Sequence, residues 1–236
     1  MNRVALPFPV LPGKSEADIR SIAERFKAEP DAYFESRRRA GVTLERAYWQ
    51  HTPMGDFVIG YIESERSIPD ILGAWAEGAT EIDHFFAATV KEVHGVDLTE
   101  PLPGPPPETV GEWVDPAVTG RRRGMAFCAP LIPGQEDRGR VWTRETFASP
   151  GMTSSRREWG QNLEVVTLSY SPEGPVSAVY LEGVDPFEAN RRFTVSEDPF
   201  NVRFRAELST LFPPFVDFSQ PVPGITEIFD SLALRA

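Results

Sequence analysis

The 236-residue chain has one cysteine, Cys128, so no intrachain disulfide can staple it. That suits a reducing compartment, and Cys128 falls in a segment that reads as a strand, where a buried, inert thiol is expected. Histidine is nearly as scarce. His51, His84 and His94 are the only three, and all lie in the first half, which excludes a helical histidine ligand for haem from the second half. No run of about 18 apolar residues is present to span a membrane. The N-terminus, Met1-Asn2-Arg3 leading to Pro7-Phe8-Pro9, lacks the apolar stretch of a secretory signal. Cytoplasmic residence is the resulting expectation. Glycine-rich phosphate loops, nucleophile elbows and zinc-type ligand spacings are also missing, so neither cofactor nor metal is expected. Basic residues are in deficit, 24 Lys and Arg against 35 Asp and Glu, for a net charge of −11. Such a surface repels phosphate backbones, and nucleic acid is not an expected partner. The one basic run, Arg121-Arg122-Arg123, reads as a solvated linker.

What the chain does have is a repeat. Pro9-Val10-Leu11-Pro12-Gly13-Lys14 reappears as Pro130-Leu131-Ile132-Pro133-Gly134-Gln135, and Tyr61-Ile62-Glu63 as Tyr180-Leu181-Glu182. Asp97-Leu98-Thr99-Glu100-Pro101-Leu102-Pro103-Gly104 returns as Asp217-Phe218-Ser219-Gln220-Pro221-Val222-Pro223-Gly224. Matches in the same order at a nearly constant offset indicate a duplicated unit. The expected division is residues 1–104, a proline-rich linker over 105–123, and residues 124–236. Each half is long enough to bury a core without disulfides.

Within the first copy, Val4, Leu6, Phe8 and Val10 alternate as in a strand. Ser15 with Asp18 forms a capping box for a helix carrying Ile19, Ile22 and Phe26. Pro30 interrupts or restarts that helix, and Gly41 suits the position past its end. Val42–His51 and Phe57–Glu63 read as a hairpin around Thr52-Pro53-Met54-Gly55. Two helical pieces follow, the second opened by Thr80 with Asp83. Asp97-Leu98 is a candidate fourth strand. In the second copy the same order runs from Met125, through a helical region over 136–159 broken near Pro150-Gly151, to a hairpin at 163–182. A last helix is opened by Asp198-Pro199.

A strand-helix-strand-strand-helix unit whose first strand runs into Pro-Gly, present twice, resembles the dimeric α+β barrel superfamily. The resemblance covers residues 3–100 and 124–220. It implies an α+β fold in which two ferredoxin-like repeats pack their antiparallel sheets face to face, as a pseudo-dimer within one chain. It also implies a pocket between a sheet and the two helices of a unit. The superfamily includes cofactor-independent monooxygenases, muconolactone-type isomerases and haem enzymes, and fold alone does not choose among them.

The candidate site lies in the first copy. His51 ends a strand and is the candidate catalytic residue, a general base. Tyr48, Trp49 and Tyr61 are the candidate ligand-binding residues, lining an apolar pocket. Trp49 and His51 become Leu168 and Tyr170 in the second copy, so one copy has room to gain a ligand. His84 points away from the apolar stripe of its helix, and His94 sits at a helix C-terminus, where a capping role is expected. Glu63 and Glu182 are expected in rim ion pairs with Arg37-Arg38 and Arg156-Arg157. The partner expected is a small apolar or aromatic molecule, bound by a monomer whose helix faces leave further self-association open. Its function would be that of a small-molecule-binding protein, as a cofactor-independent monooxygenase or isomerase. The alternative is a non-catalytic binding or assembly module with a filled interior.

Overall fold

A computed structural model describes residues 1–100 and 104–235. Pro101, Leu102 and Pro103 of the repeated segment, and Ala236, lie outside the described residues. The first copy runs β1 (Asn2–Pro9), α1 (Glu16–Ala28), α2 (Pro30–Ala40), β2 (Val42–Thr52), β3 (Gly55–Ser64), α3 (Ile68–Ala76), α4 (Glu81–His94) and β4 (Glu108–Val114). The second runs β5 (Arg123–Pro130), α5 (Glu136–Phe147), α6 (Pro150–Glu158), β6 (Gln161–Ser171), β7 (Gly174–Gly183), α7 (Pro186–Val195), α8 (Pro199–Leu211) and β8 (Ile225–Asp230).

The local signals act as their chemistry requires. Thr80 and Asp83 satisfy each other's backbone N–H groups at 3.1 and 3.2 Å, which starts α4. Asp198 accepts from the N–H of Phe200 at 2.9 Å, with Pro199 at the first helical position. Gly41 and Gly160 follow α2 and α6 with φ of +76° and +68°, left-handed values that a side chain would oppose.

Two antiparallel sheets of four strands result, in the orders β1-β3-β2-β8 and β4-β6-β7-β5. The fold is therefore α+β with two face-to-face sheets, which are not joined into one closed ladder. The pairing departs from the expected division at two places. The spacer expected over 105–123 carries β4, which pairs with β6 of the second sheet, while β8, near the end of the chain, pairs with β2 of the first. Each copy thus lends its fourth strand to the other's sheet. Asp97-Leu98 forms no strand, and Leu98 instead buries its side chain against Val4 and Trp75 in the first copy's core. The exchange is physically sound because β2 and β6 would otherwise present open edges. The irregularities match as well: the register breaks between Ala47 and Tyr48 opposite β8, and between Thr109 and Gly111 opposite β6.

Alternation sends every second side chain of each sheet toward the other. Ala5, Tyr48, Ile59 and Tyr61 meet Ala126, Val165, Ala178 and Tyr180 in one buried cluster. At its centre the rings of Tyr61 and Tyr180 stack, with centroids 3.5 Å apart and planes 5° from parallel. Their hydroxyls donate to Glu63 at 2.7 Å and to Glu182 at 2.9 Å. Arg121 binds Glu63 and reaches within 3.9 Å of Glu182, so a residue of the basic run is a brace between the sheets as well as part of a connection. Arg46 adds ion pairs to Glu182 at 3.1 Å and Asp230 at 2.9 Å. The expected rim pairing is thus corrected: Glu63 and Glu182 are buried between the sheets, and Arg37 and Arg156 bind other carboxylates. The facing sheets also satisfy strand backbone directly. Thr167 Oγ1 accepts from the N–H of Ala5 at 3.0 Å, and Gln50 Oε1 from the N–H of Cys128 at 2.7 Å.

Two outcomes follow from this arrangement. Burial alone would raise the Glu63 carboxyl, but hydrogen bonds from Arg121 and Tyr61 and the nearby Arg charges outweigh it and hold the group below its ordinary 4.5. A depressed carboxyl contributes stability that is fully present above the ordinary value and is lost as pH falls through the folded one. Urea midpoints measured from pH 6 downward are expected to fall below about pH 4.5, and Glu63→Gln is expected to flatten that part of the profile. Ending the chain at Gly224 removes β8 and with it Ile228 and Phe229 from the first half's core. Hydrogen exchange is then expected to lose protection across residues 46–50 of β2, far from the cut in sequence.

Candidate functional site

The helix-facing side of each sheet carries the same ion pair. Arg37 binds Glu45 through Nε at 2.6 Å and Nη2 at 3.2 Å, and Arg156 binds Glu164 through the same atoms at 2.5 and 3.2 Å. Both arginines are 119 residues apart, as are both glutamates. Each arginine stands on the helix before a hairpin, and each glutamate on that hairpin's first strand. All four are buried.

What surrounds the pair differs between the halves. In the first, the Arg37 guanidinium carbon lies 4.7–4.8 Å from the ring centres of Phe26, Tyr33, Trp75 and Phe86. Phe229, from β8, closes the cluster against Phe26 and Tyr33. Ile71, Trp75, Leu6, Ile62 and Val90 pack the adjoining layer.

In the second half, several matching positions are smaller. The helix caps Ser67 and Asp185 are 118 residues apart, which sets Ile71 against Ala189 and Trp75 against Phe193. The first strands match at 121, which sets Phe8 against Ala129, and Trp49 stands against Leu168. Gly60 to Val179 and Leu6 to Phe127 run the other way and leave the space unfilled. The result is a cavity of about 520 Å³ between the second sheet and its helices. Its walls are chiefly apolar, from Phe127, Val179, Leu181, Phe193, Phe204 and Leu208. Arg156 and Glu164 face into it, and the Arg156 guanidinium carbon is 5.2–5.7 Å from Trp159, Phe193 and Phe204.

Around the outer margin lie the tip of the first half's hairpin, Gln50 to Met54, and a strap that includes Phe215 and Pro221. The strap is tied down twice. Asn190 Oδ1 accepts from the N–H of Val222 at 3.0 Å, and the Gly224 carbonyl accepts from the N–H of His51 at 3.0 Å. Phe215 and Met54 leave 57% and 47% of their surface exposed, giving the margin an apolar character.

The four residues expected to form a pocket in the first half are not brought together. Tyr48 and Tyr61 are fully buried between the sheets. Trp49 points to the opposite face and packs with Phe26 and Val58 beneath the helices, because neighbours along a strand alternate sides. His51 is exposed at the hairpin tip, with Nδ1 2.6 Å from Asp56 Oδ1, and it lines the margin of the second half's cavity rather than an interior of its own half. The sheet-to-helix layer was the expected place for a pocket, but the roomy copy is the second. The remaining histidines are structural or solvated. His84 is exposed, and His94 is buried with Nδ1 2.9 Å from the Pro9 carbonyl, its pKa lowered by burial, so it joins α4 to β1. Burial pushes the Cys128 thiol up to about 12, as an inert core thiol requires. Among the described residues no cluster of histidine, cysteine and carboxylate side chains could hold a metal, and no helix is long and apolar enough to cross a membrane.

The sequence reading gave Arg156 a rim ion pair and gave Glu164 no role. Their recurrence at one shared offset was the available signal.

No known family profile matches the chain, and no curated protein does. Among solved structures it is similar to an anthrone oxidase-like protein, at 12% identity over 95% of this chain and 88% of that one, with a TM-score of 0.50. A candidate monooxygenase from Fusobacterium nucleatum subsp. nucleatum gives 10% identity over 95% and 88% with a TM-score of 0.49. Another from Lactobacillus acidophilus NCFM gives 12% over 98% and 95% with 0.47. At these identities the likeness is one of fold.

Putting the first half's larger residue into the cavity is expected to stabilise the protein. Ala189→Ile is expected to raise the urea midpoint with an unchanged slope, by about 0.5–2 kcal/mol. A drop in the midpoint would mean that the site is already packed.

Proposed function

We propose that the chain binds a small, apolar, ring-bearing molecule in the cavity of its second half. The observation that carries this reading is the contrast between two copies of one unit: the same buried Arg–Glu pair lies in a filled core in one and faces a cavity of about 520 Å³ in the other. That volume falls within the roughly 300–1,000 Å³ range of small-molecule sites. Apolar walls with one polar end suit a ligand with a large hydrophobic body and a single polar group. The first half then serves as scaffold. Its hairpin tip and the strap beside it form the margin through which a ligand enters.

Oxygenase or isomerase chemistry without a cofactor is the reaction class that the fold resemblance brings to this site. His51 is the one imidazole among the lining residues, and a proton-shuttling role for it would apply to ligand atoms at the margin. A second reading, a binding module without catalysis, has its own support. The buried carboxylate in the cavity, Glu164, already accepts a hydrogen bond from Arg156 on each oxygen, which suits a fixed recognition group. Residence in the cytoplasm remains part of the proposal, on the strength of the lone buried thiol.

Anthrone, taken from the name of the similar structure, and naphthalene are suitable probes. Trp142 and Trp159 line the cavity and should report occupancy by fluorescence quenching. Saturable quenching is expected, with a Tm that rises with ligand concentration. The double variant Ala129→Phe with Ala189→Ile, which refills the cavity with the first half's side chains, is expected to abolish both. Wild type as indifferent to the probes as the double variant would sink the proposal. Following anthrone under air by chromatography then separates the two readings, since binding without product supports the module.

A further inference from the structure

The duplication also says what the ligand should carry. In the first half, Glu45 accepts three hydrogen bonds from side chains. Two come from Arg37, and the third comes from the Tyr33 hydroxyl at 2.9 Å. Tyr33 sits one turn before Arg37 on α2, and its ring packs on Phe26 at 4.9 Å. In the second half, the residue one turn before Arg156 on α6 is Met152. Met152 is buried beside Phe147 and Phe204, fills that part of the core, and has no donor. Glu164 therefore keeps its two bonds from Arg156 and lacks the phenol that completes the set around Glu45. An ionised carboxylate offers about four lone-pair sites, so acceptor capacity remains on Glu164. Its side chain lines the cavity.

We propose that the cavity takes a neutral aromatic molecule bearing a hydroxyl or N–H group, and that Glu164 accepts this donor in the role that Glu45 plays toward Tyr33. The inference rests on the cavity reading above and adds the ligand's polar group and the residue that selects it. Charge points the same way. The other charged lining residues, Glu136, Arg140 and Asp217, are half-buried or exposed, whereas the buried Arg156–Glu164 pair is neutral overall, so a neutral donor fits the buried end of the chamber best. The pair is also rigid. Arg156 holds both carboxylate oxygens, and its Nη1 donates to Ser155 Oγ at 3.3 Å, which in turn donates to Asn201 at 2.9 Å. An acceptor held in this way needs little reordering when a ligand arrives. The rings of Trp142 and Phe193 stand at 4.9 and 5.5 Å from Phe204, edge to face, and supply aromatic surface near the acceptor.

The test compares 2-naphthol, 2-methoxynaphthalene and naphthalene by quenching of the cavity tryptophans. Wild type is expected to bind 2-naphthol about 10- to 100-fold more tightly than the other two, the worth of a hydrogen bond to a charged group. Met152→Tyr gives the second half the first half's own donor. It is expected to bring the three affinities to within about twofold of one another while leaving naphthalene binding in place. Glu164→Asp, which keeps a charge opposite Arg156 but withdraws the oxygens, should lose the preference as well, and it covers the case in which the tyrosine variant does not fold. Equal binding of all three probes by wild type overturns the donor assignment and leaves the cavity reading standing. A preference that survives both substitutions overturns Glu164 as the acceptor. If no probe binds, the cavity reading falls, and this inference falls with it.

Discussion

Tyr61 and Tyr180 lie flat on each other where the two sheets meet, and each hydroxyl is held by a carboxylate two residues further along its own strand. Aromatic stacking of this kind adds about 0.5–1.5 kcal/mol beyond the area buried. Its larger effect is positional. With the rings in register, Glu63 and Glu182 come close enough for Arg121 to reach both, and the outward faces of both sheets are left for their helices. The carboxylates would be costly in that setting if any partner were missing, because a buried charge without compensation destabilises far more than a matched pair stabilises. The stack and its ionic collar therefore fix how the sheets sit, and the sheet-to-helix layers on either side are built against that frame.

Those two layers match in element order and differ in how they are filled. The Arg–Glu pair is retained in both, with its bidentate geometry intact and a serine beside each arginine. Around it the first copy has gathered large rings, and the second has exchanged Ile71, Phe8 and Trp49 for Ala189, Ala129 and Leu168. Duplication makes this divergence affordable. A cavity costs stability in proportion to its volume, and a chain with one well-filled copy joined to a roomy one tolerates the loss better than two roomy copies would. One sheet-to-helix layer is thus filled by side chains, and the other keeps a cavity.

Much of the architecture was legible in the residues. Alternation marked the strands, Thr80 with Asp83 and Asp198-Pro199 marked helix starts, and the repeat marked two units packed as a pseudo-dimer. Asp185-Pro186 opens α7 by the same chemistry, with Asp185 accepting from Phe187 and Glu188, and it passed unread beside the stronger signal at Asp198. The fate of β4 and β8 was not legible. A strand's own pattern shows which side faces the core, and says nothing about which of two similar edges it will join. The layer in which a pocket was expected, between sheet and helices, does hold a cavity, on the second sheet rather than the first. Aromatic residues in strands look alike whether they line a space or fill one, and Tyr48 and Tyr61 fill one. The telling difference lay in small residues, Ala129 and Ala189, which draw no attention until each is set against its larger twin.

The crossed fourth strands also shape how the protein can be made. A ribosome delivers residues in order, yet the first sheet acquires its outermost strand only after residue 230 has emerged, because β8 closes it. Until then β2 has a bare hydrogen-bonding edge and the pocket around Phe26 and Tyr33 stands open where Phe229 will sit. The early half must wait, shielded or partly formed, for the late half to finish it. Completion of the two halves is then a single event that awaits β8, rather than two successive ones in chain order.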